Sequence, residues 1–337
     1  MNQRIPVSLL TGFLGSGKTT LLGKLLRDPA MKDVAVIINE FGEVGLDHLL
    51  IERGEEEVVM LDSGCLCCTV NSSLSETLAD LHFRHLRKEV TAFTRVVIET
   101  SGLADPAPIL HMLLSDPSIS KWYVLDGIVT TVDGSHGEAQ LEAHAEATKQ
   151  AAVADVLVVT KADISTAAAL ARLESRLERL NPGAARLRVV DGDVAAEKVV
   201  GTGLFDASRK PANVARWLAT EQEHAAHGSH GHRHLDGIKT YTVVLAVPMQ
   251  WSDYAAWLKR LRDFPAERLL RVKGVIALGE DRQPHVVQGV QHIFGHPSPL
   301  AQWPWDDHGS RLVFIVDGIA RDALAATLPE NQPSLAA

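Results

Sequence analysis

The chain has 337 residues, of which 46% are hydrophobic and 22% charged, enough apolar material for two globular domains of ordinary size. Its formal net charge of −9 excludes a nucleic-acid-binding protein that depends on bulk positive charge. The apolar run at residues 5–14 is too short and too glycine-rich for a signal peptide or a membrane span. We therefore expect a cytoplasmic protein with neither nucleic-acid nor membrane partners.

Apolar runs and helical periodicity alternate along the first part of the chain. The predicted strands there are residues 5–10, 34–38, 58–61, 95–98, 122–125, 128–132, 156–159 and 187–190. The predicted helices are residues 18–26, 74–86, 139–154 and 167–180. This alternation predicts an α/β domain with a mostly parallel sheet flanked by helices, whose ligand-binding loops follow the carboxyl ends of the strands.

The pattern changes near Pro211, where a polar stretch begins and the alternation ends. Beyond it, the predicted strands are residues 240–247, 269–278, 286–289 and 312–316, and the predicted helices are residues 252–261 and 321–328. We therefore divide the chain into an α/β domain at 1–212, a linker at 213–236 and a smaller α+β domain with an antiparallel sheet at 237–330.

The segment that begins at Gly12 reads Gly-Phe-Leu-Gly-Ser-Gly-Lys-Thr and matches the P-loop pattern at every fixed position. It lies between a predicted strand and a predicted helix, so that backbone N–H groups at the helix N-terminus can approach phosphate oxygens. We expect Lys18 to reach the β- and γ-phosphates and Thr19 to hold Mg²⁺. The residues expected to contact the nucleotide here are Gly12, Gly15, Ser16, Gly17, Lys18, Thr19 and Thr20.

Two glutamates follow predicted strands of the same domain. Glu99 stands where P-loop proteins carry the acid that supports Mg²⁺, and because Glu replaces the usual Asp we expect a contact through water. Gly102 is expected to offer its backbone N–H near the γ-phosphate, in a loop that moves on hydrolysis. Glu40 follows the second strand, where P-loop proteins carry the first loop that changes conformation with the bound nucleotide. It would position Mg²⁺, water or a second metal. Lys18, Glu99 and Glu40 are thus the predicted catalytic residues.

The segment Thr160-Lys161-Ala162-Asp163 differs by one residue from the Asn-Lys-x-Asp motif that binds guanine. Asp163 would accept hydrogen bonds from N1 and N2 of guanine, which adenine cannot donate. The stem of Lys161 would cover one face of the base, whereas Thr160 in place of Asn is expected to anchor the loop more weakly. The pattern predicts GTP rather than ATP.

All three cysteine residues lie within four positions, at Cys65, Cys67 and Cys68. Such a cluster is too tight for a disulfide framework and is typical of metal binding or catalysis. Soft thiolates select zinc, copper(I) or iron–sulfur clusters rather than Mg²⁺. Zinc prefers four ligands, so one position would stay open or be filled by Glu40, a histidine or water, which suits a transferable ion. Inert cysteines or a redox pair are the alternatives.

Five of the fifteen histidine residues lie within eleven positions of the linker. Neutral imidazole suits zinc, nickel, cobalt or copper. Because glycine and serine separate these histidines, we expect a weak, mobile arm that collects metal, with an ordinary polar linker as the alternative. The five are His224, His227, His230, His232 and His234.

These motifs occur in the order found in the CobW/HypB/UreG group of metal-handling GTPases, and the chain resembles the CobW-like branch of that group. The residues that carry the resemblance are the P-loop through Thr20, Asn-Glu-Phe-Gly at 39–42, Gly-Cys-Leu-Cys-Cys at 64–68, Glu-Thr-Ser-Gly-Leu-Ala-Asp-Pro at 99–106 and the segment 160–163. Arg-Val-Lys-Gly at 271–274 and Val-Gln-Gly at 287–289 resemble the second domain of that branch.

The resemblance implies slow, metal-stimulated GTP hydrolysis, coupled to binding of a transition metal and its delivery to a client metalloprotein. Zinc is the metal this branch handles most often, and cobalt or iron insertion, for cobalamin synthesis or nitrile hydratase activation, is the alternative. A GTP-regulated zinc sensor or store and a small-molecule P-loop kinase are rival functions from other classes. We expect the client to dock on the C-terminal domain, and any oligomer to depend on nucleotide or metal.

Overall fold

A computed structural model describes residues 4–39, 58–60, 70–201 and 237–329 of the chain. These residues form two compact units, one built on a parallel sheet and the other on an antiparallel sheet. No helix within the described ranges is long and apolar enough to cross a membrane.

The first unit is built on seven strands in the order β3-β2-β4-β1-β5-β6-β7, all paired in parallel. They are β1 Ile5–Gly12, β2 Val34–Asn39, β3 Val58–Met60, β4 Arg95–Thr100, β5 Tyr123–Asp133, β6 Val156–Thr160 and β7 Ala185–Arg188. Since β1 lies between β4 and β5, the loop that follows β1 is flanked by the carboxyl ends of both neighbours. The predicted α/β fold with a parallel sheet is confirmed.

The helices of this part of the chain are α1 Lys18–Leu25, α2 Val70–Leu86, α3 Ala107–Ser115, α4 Pro117–Ser120, α5 Gly137–Ala143, α6 Ala145–Val153 and α7 Ala167–Leu180. Helix α1 buries Leu21, Leu22 and Leu25 against a core that includes Leu10 of β1 and Val36 of β2. This contact fixes the helix that begins at the P-loop against the sheet.

Two regions of the chain are divided into elements differently from the prediction. The strands predicted at 122–125 and 128–132 are joined in one strand, β5, which begins at Tyr123 and whose register against β1 shifts between Leu125 and Gly127. Residues 139–154, predicted as one helix, form α5 and α6, because His144 adopts an extended backbone with φ −131° and ψ 115°. Alanine-rich composition favoured one long helix, and the local backbone of His144 overrides it.

Other elements were predicted incompletely. Helices α3 and α4 were not predicted, although Asp105 accepts a hydrogen bond from the backbone N–H of Ala107 at the start of α3, at 2.9 Å. Strand β7 begins two residues earlier than predicted and ends at Arg188, which is paired with Val159 of β6.

The second unit holds β8 Ile238–Leu245, β9 Leu269–Leu278, β10 Gln283–Val290, β11 Ile293–Phe294, β12 Ser298–Pro299 and β13 Ser310–Asp317. Five strands follow the order β11-β10-β9-β13-β8, β12 pairs with β10, and all pairings are antiparallel. Helices α8 Trp251–Leu261 and α9 Arg321–Ala325 accompany the sheet. Trp257 of α8 is fully buried beside Phe314 of β13. The predicted α+β architecture with an antiparallel sheet is confirmed, although α9 is shorter than predicted.

Candidate functional site

The phosphate loop between β1 and α1 depends on glycine at its first position. Gly12 has φ +144°, and a Cβ there would lie 2.2 Å from Oγ1 of Thr131 on β5. Ser16 also contacts β5, because its hydroxyl shares a hydrogen bond of 2.7 Å with the Thr131 hydroxyl. Gly15 and Gly17 have φ of +70° and +89°, a conformation that glycine adopts without strain. The loop is therefore bound closely to the neighbouring strand.

Lys18 points back into the phosphate loop. Its side chain is buried, and Nζ donates to the carbonyl oxygens of Gly12 at 2.9 Å and Phe13 at 3.4 Å. An ammonium group has three donors and no acceptor, so these bonds hold the positive charge within the loop.

Thr20 lies in the first turn of α1 and is exposed.

Thr19 meets the acid at the end of β4. The Thr19 hydroxyl donates to Oε1 of Glu99 at 2.9 Å, although the two residues are 80 positions apart. Glu99 is only 4% exposed. A hydroxyl and a carboxylate are the hard oxygen donors that Mg²⁺ takes, so this pair fits the ion expected here. Whether Glu99 contacts Mg²⁺ directly or through water stays a prediction.

The loop after β4 packs on the phosphate loop and is held by α6. A Cβ on Gly102 would lie 2.7 Å from the backbone nitrogen of Leu14. Gln150 of α6 is fully buried, and its Nε2 donates to the carbonyl oxygens of Gly102 at 3.2 Å and Ala104 at 3.0 Å. The sequence analysis did not identify Gln150, and the available signal was an amide directly before the apolar residues Ala151, Ala152 and Val153 of the same helix.

The segment after β6 is joined to the phosphate loop. The Thr160 hydroxyl donates to the carbonyl oxygen of Ser16 at 2.7 Å and contacts that of Val132 at 3.3 Å. Thr160 therefore anchors the loop directly. Lys161 follows with a left-handed backbone, φ +53°, and Asp163 is exposed on the short 3₁₀ turn after it.

Asp133, at the end of β5, is a further polar residue of this site and was not predicted. Its side chain is 3% exposed and accepts from Nζ of Lys161 at 2.6 Å. Burial raises its pKa, but hydrogen bonds from the Lys161 ammonium, the Ser135 hydroxyl and the backbone of Ser135 and His136 outweigh burial and lower the pKa to about 2. The carboxyl group is therefore ionised at neutral pH.

The predicted transition-metal ligands lie outside the described residues. These are Glu40, the cysteines Cys65, Cys67 and Cys68, and the histidines His224, His227, His230, His232 and His234. Within the part of the chain that the structure describes, no group of three or more His, Cys, Asp or Glu side chains is arranged to hold a metal ion.

Comparison with known proteins identifies the family. Residues 6–188 match the family described as the CobW/HypB/UreG nucleotide-binding domain. The chain belongs to the CobW/HypB/UreG family. Residues 238–330 match the cobalamin synthesis protein cobW C-terminal domain, so this family member also has the second domain of the CobW branch, and the predicted resemblance is confirmed.

Two curated relatives of this CobW/HypB/UreG protein match it over most of their length. Zinc chaperone YjiA of Escherichia coli strain K12 is 33% identical over 318 residues, which cover 92% of this chain and 93% of the relative. Zinc chaperone CobW of a Sinorhizobium species is 29% identical, with 93% and 92% covered.

A solved structure shows the same architecture. The zinc-bound YjiA GTPase from E. coli has a TM-score of 0.65 at 26% identity, covering 96% of this chain and 98% of that one. A zinc-bound triple mutant of the YjiA GTPase has a TM-score of 0.70 with the same coverage. The similarity thus extends over both units of this family member.

Proposed function

We propose that this chain is a GTP-hydrolysing metallochaperone that binds zinc and delivers it to a client protein. The observation that carries the proposal is the 2.9 Å hydrogen bond between Thr19 and Glu99, with Lys18 held in the adjoining loop. Threonine and lysine at these positions are the groups with which P-loop NTPases hold Mg²⁺ and the terminal phosphates, and Glu99 stands where they usually carry Asp. Zinc as the cargo is supported by membership of the family and by the relatives named zinc chaperone YjiA and zinc chaperone CobW.

Each described residue of the site has a role in this proposal. Thr19 and Glu99 would hold Mg²⁺, which when bound neutralises charge on the phosphates. Lys18 would leave the carbonyl oxygens of its own loop and bind the β- and γ-phosphate oxygens. The backbone N–H of Gly102 would face the γ-phosphate, and Asp163 would accept hydrogen bonds from guanine.

The metal would be held by thiolates of Cys65, Cys67 and Cys68, with Glu40 as a further oxygen donor. Strands β2, β3 and β4 are adjacent and parallel, so they end at the same edge of the sheet as Glu99. The chain between β2 and β3 carries Glu40, and the chain after β3 carries the cysteines. This order supports a metal site next to the nucleotide site.

Metal and nucleotide would bias the same loops, so each must change the affinity of the other by the same factor. Hydrolysis would relax the loops that contain Glu40 and Gly102 and release the ion. We further propose that the client docks on the C-terminal unit and that the histidine-rich linker collects metal. The protein would act in the cytoplasm, and any oligomer would depend on nucleotide or metal.

The test is a zinc titration of the reduced, metal-free protein without nucleotide, with Mg·GTP and with a non-hydrolysable GTP analogue, with phosphate release recorded in parallel. We expect zinc affinity to differ between the nucleotide states and zinc to accelerate hydrolysis. Cys67→Ala should lose both effects. If zinc binding and GTP turnover are independent of each other, the chaperone mechanism is wrong.

A second experiment separates delivery from storage. Transfer of zinc to an apo-metalloenzyme is measured with GTP and with the analogue, and then with cobalt and iron in place of zinc. Transfer that requires hydrolysis supports a chaperone, whereas equal transfer in both states indicates a sensor or store. Faster transfer of cobalt or iron than of zinc would contradict zinc as the cargo.

A further inference from the structure

Asp133 connects two loops at the carboxyl edge of the parallel sheet. Its Oδ1 accepts from the backbone N–H of Ser135 at 2.8 Å, from the Ser135 hydroxyl at 2.6 Å and from the backbone N–H of His136 at 3.0 Å. Its Oδ2 accepts from Nζ of Lys161 at 2.6 Å. One buried carboxylate thus orders the loop after β5 and holds the lysine of the loop after β6.

The two loops also meet through their backbones. The N–H of Gly134 donates to the carbonyl oxygen of Thr160 at 2.8 Å. A Cβ on Gly134 would lie 2.6 Å from that oxygen, so a larger residue would push the loops apart. Thr160 in turn is bonded to the carbonyl oxygen of Ser16 at 2.7 Å. Asp133 therefore belongs to a continuous set of contacts that ends at the phosphate loop.

The backbone of Lys161 is held in an unfavourable conformation. Its φ of +53° brings Cβ close to the backbone, which is costly for residues other than glycine. Two contacts hold it there: the ion pair with Asp133, and the hydrogen bond of 2.8 Å from the Ser165 hydroxyl to the Lys161 carbonyl oxygen. Because the 3₁₀ turn with Asp163 begins directly after Lys161, the conformation of Lys161 sets where Asp163 lies.

We infer that Asp133 is a positioning residue for guanine specificity, which acts by holding Lys161 so that Asp163 faces the base. The inference rests on the proposed function, since it requires that the segment 160–163 binds guanine. It adds a specificity determinant that lies outside this segment and 28 positions before Lys161.

The test replaces Asp133 by Asn, which keeps the shape but cannot serve both the loop N–H groups and the lysine as an acceptor. Affinities for GDP, ADP and inorganic tripolyphosphate are measured for the wild type and Asp133→Asn. Tripolyphosphate uses the phosphate loop but has no base. We expect GDP binding to weaken about tenfold to a hundredfold, the effect of losing one hydrogen bond to a charged group, while tripolyphosphate and ADP binding are unchanged.

Lys161→Met provides the second variant, because methionine retains an apolar stem but has no charge. If Asp133 acts through Lys161, the double variant should bind GDP no more weakly than Lys161→Met alone. Asp126→Asn is the matched control, since Asp126 lies on the same strand and is paired with Arg95 but is seven residues nearer the start of β5. Its GDP affinity should equal that of the wild type.

Equal loss of GDP and tripolyphosphate affinity in Asp133→Asn would overturn the inference, because it would indicate damage to the whole site. Wild-type GDP affinity in that variant, or additive losses in the double variant, would overturn it as well. A wild-type protein without preference for GDP over ADP would instead contradict the proposed function, and so the two failures are distinguishable.

Discussion

The amide nitrogen of Gln150 donates to the carbonyl oxygen of Gly102 at 3.2 Å, and this bond connects α6 with the loop that follows the end of β4. The same nitrogen also reaches the carbonyl oxygen of Ala104. Because Gln150 is fully buried, water cannot replace these bonds if they are lost. The helix therefore holds the segment proposed to contact the γ-phosphate.

Replacing Gln150 by Glu should release this loop. A carboxylate has no N–H to donate and would face two carbonyl oxygens in a buried position. We expect the free energy of unfolding to fall by about 1–3 kcal/mol at neutral pH and amide hydrogen exchange to accelerate at residues 101–106. Glu142→Gln, on the exposed side of α5, is the control. Unchanged exchange in the loop of the Gln150 variant would contradict its role.

Glu99→Gln should suppress Mg²⁺-dependent GTP hydrolysis by about a hundredfold or more, because a neutral amide supports the ion poorly and such electrostatic groups contribute on this scale. GDP affinity without Mg²⁺ should be unchanged, since Glu99 contacts Thr19 and not the base. Phosphate release measures the hydrolysis rate, and equilibrium binding measures the GDP affinity. Glu89→Gln, at an exposed glutamate paired with Arg87, should hydrolyse GTP at the wild-type rate.

Two Gly→Ala substitutions should have opposite effects. Ala at position 12 would place Cβ 2.2 Å from Oγ1 of Thr131, so we expect loss of nucleotide binding and lower stability. Gly23 lies in α1, where an added Cβ would meet nothing within 4 Å, and Ala there should stabilise the protein by about 0.5–1 kcal/mol. Thermal unfolding without GDP measures the stability of each variant, and the shift that GDP causes measures nucleotide binding. A stable Gly12→Ala variant that binds GDP would contradict the packing described for the loop.

Asp133 should make stability depend on pH in the acidic range. Its folded pKa of about 2 lies below the ordinary aspartate value of 3.8, so its contribution is fully present above pH 4 and is lost as the pH falls towards 2. The difference corresponds to about 2 kcal/mol. Urea unfolding at pH 7, 5 and 3 should show Asp133→Asn to be less stable by about this amount at pH 7 and 5, with a smaller gap at pH 3. A gap that grows on acidification would contradict the assignment.

Candidate residues whose spacing would be set by a phosphate ligand could be predicted from the sequence alone. A phosphate group needs consecutive backbone N–H groups and a lysine at a fixed distance along the chain, so the P-loop from Gly12 to Thr19 is readable as a pattern. Glu99 and the segment 160–163 could be predicted because each directly follows a continuous apolar strand. Parallel strands place their carboxyl ends along one edge, which brings these motifs together.

Only the tertiary structure identified Asp133 and Gln150 and the break at His144. Asp133 acts on a residue 28 positions away and Gln150 on residues 46 and 48 positions away, and no local pattern identifies such distant partners. These contacts matter because they are buried. Water cannot replace a lost partner there, so the loss of each hydrogen bond costs the full desolvation penalty of the group left behind. The sequence by itself predicted which chemical groups would serve the nucleotide, and the packing of distant segments decided which residues hold those groups in place.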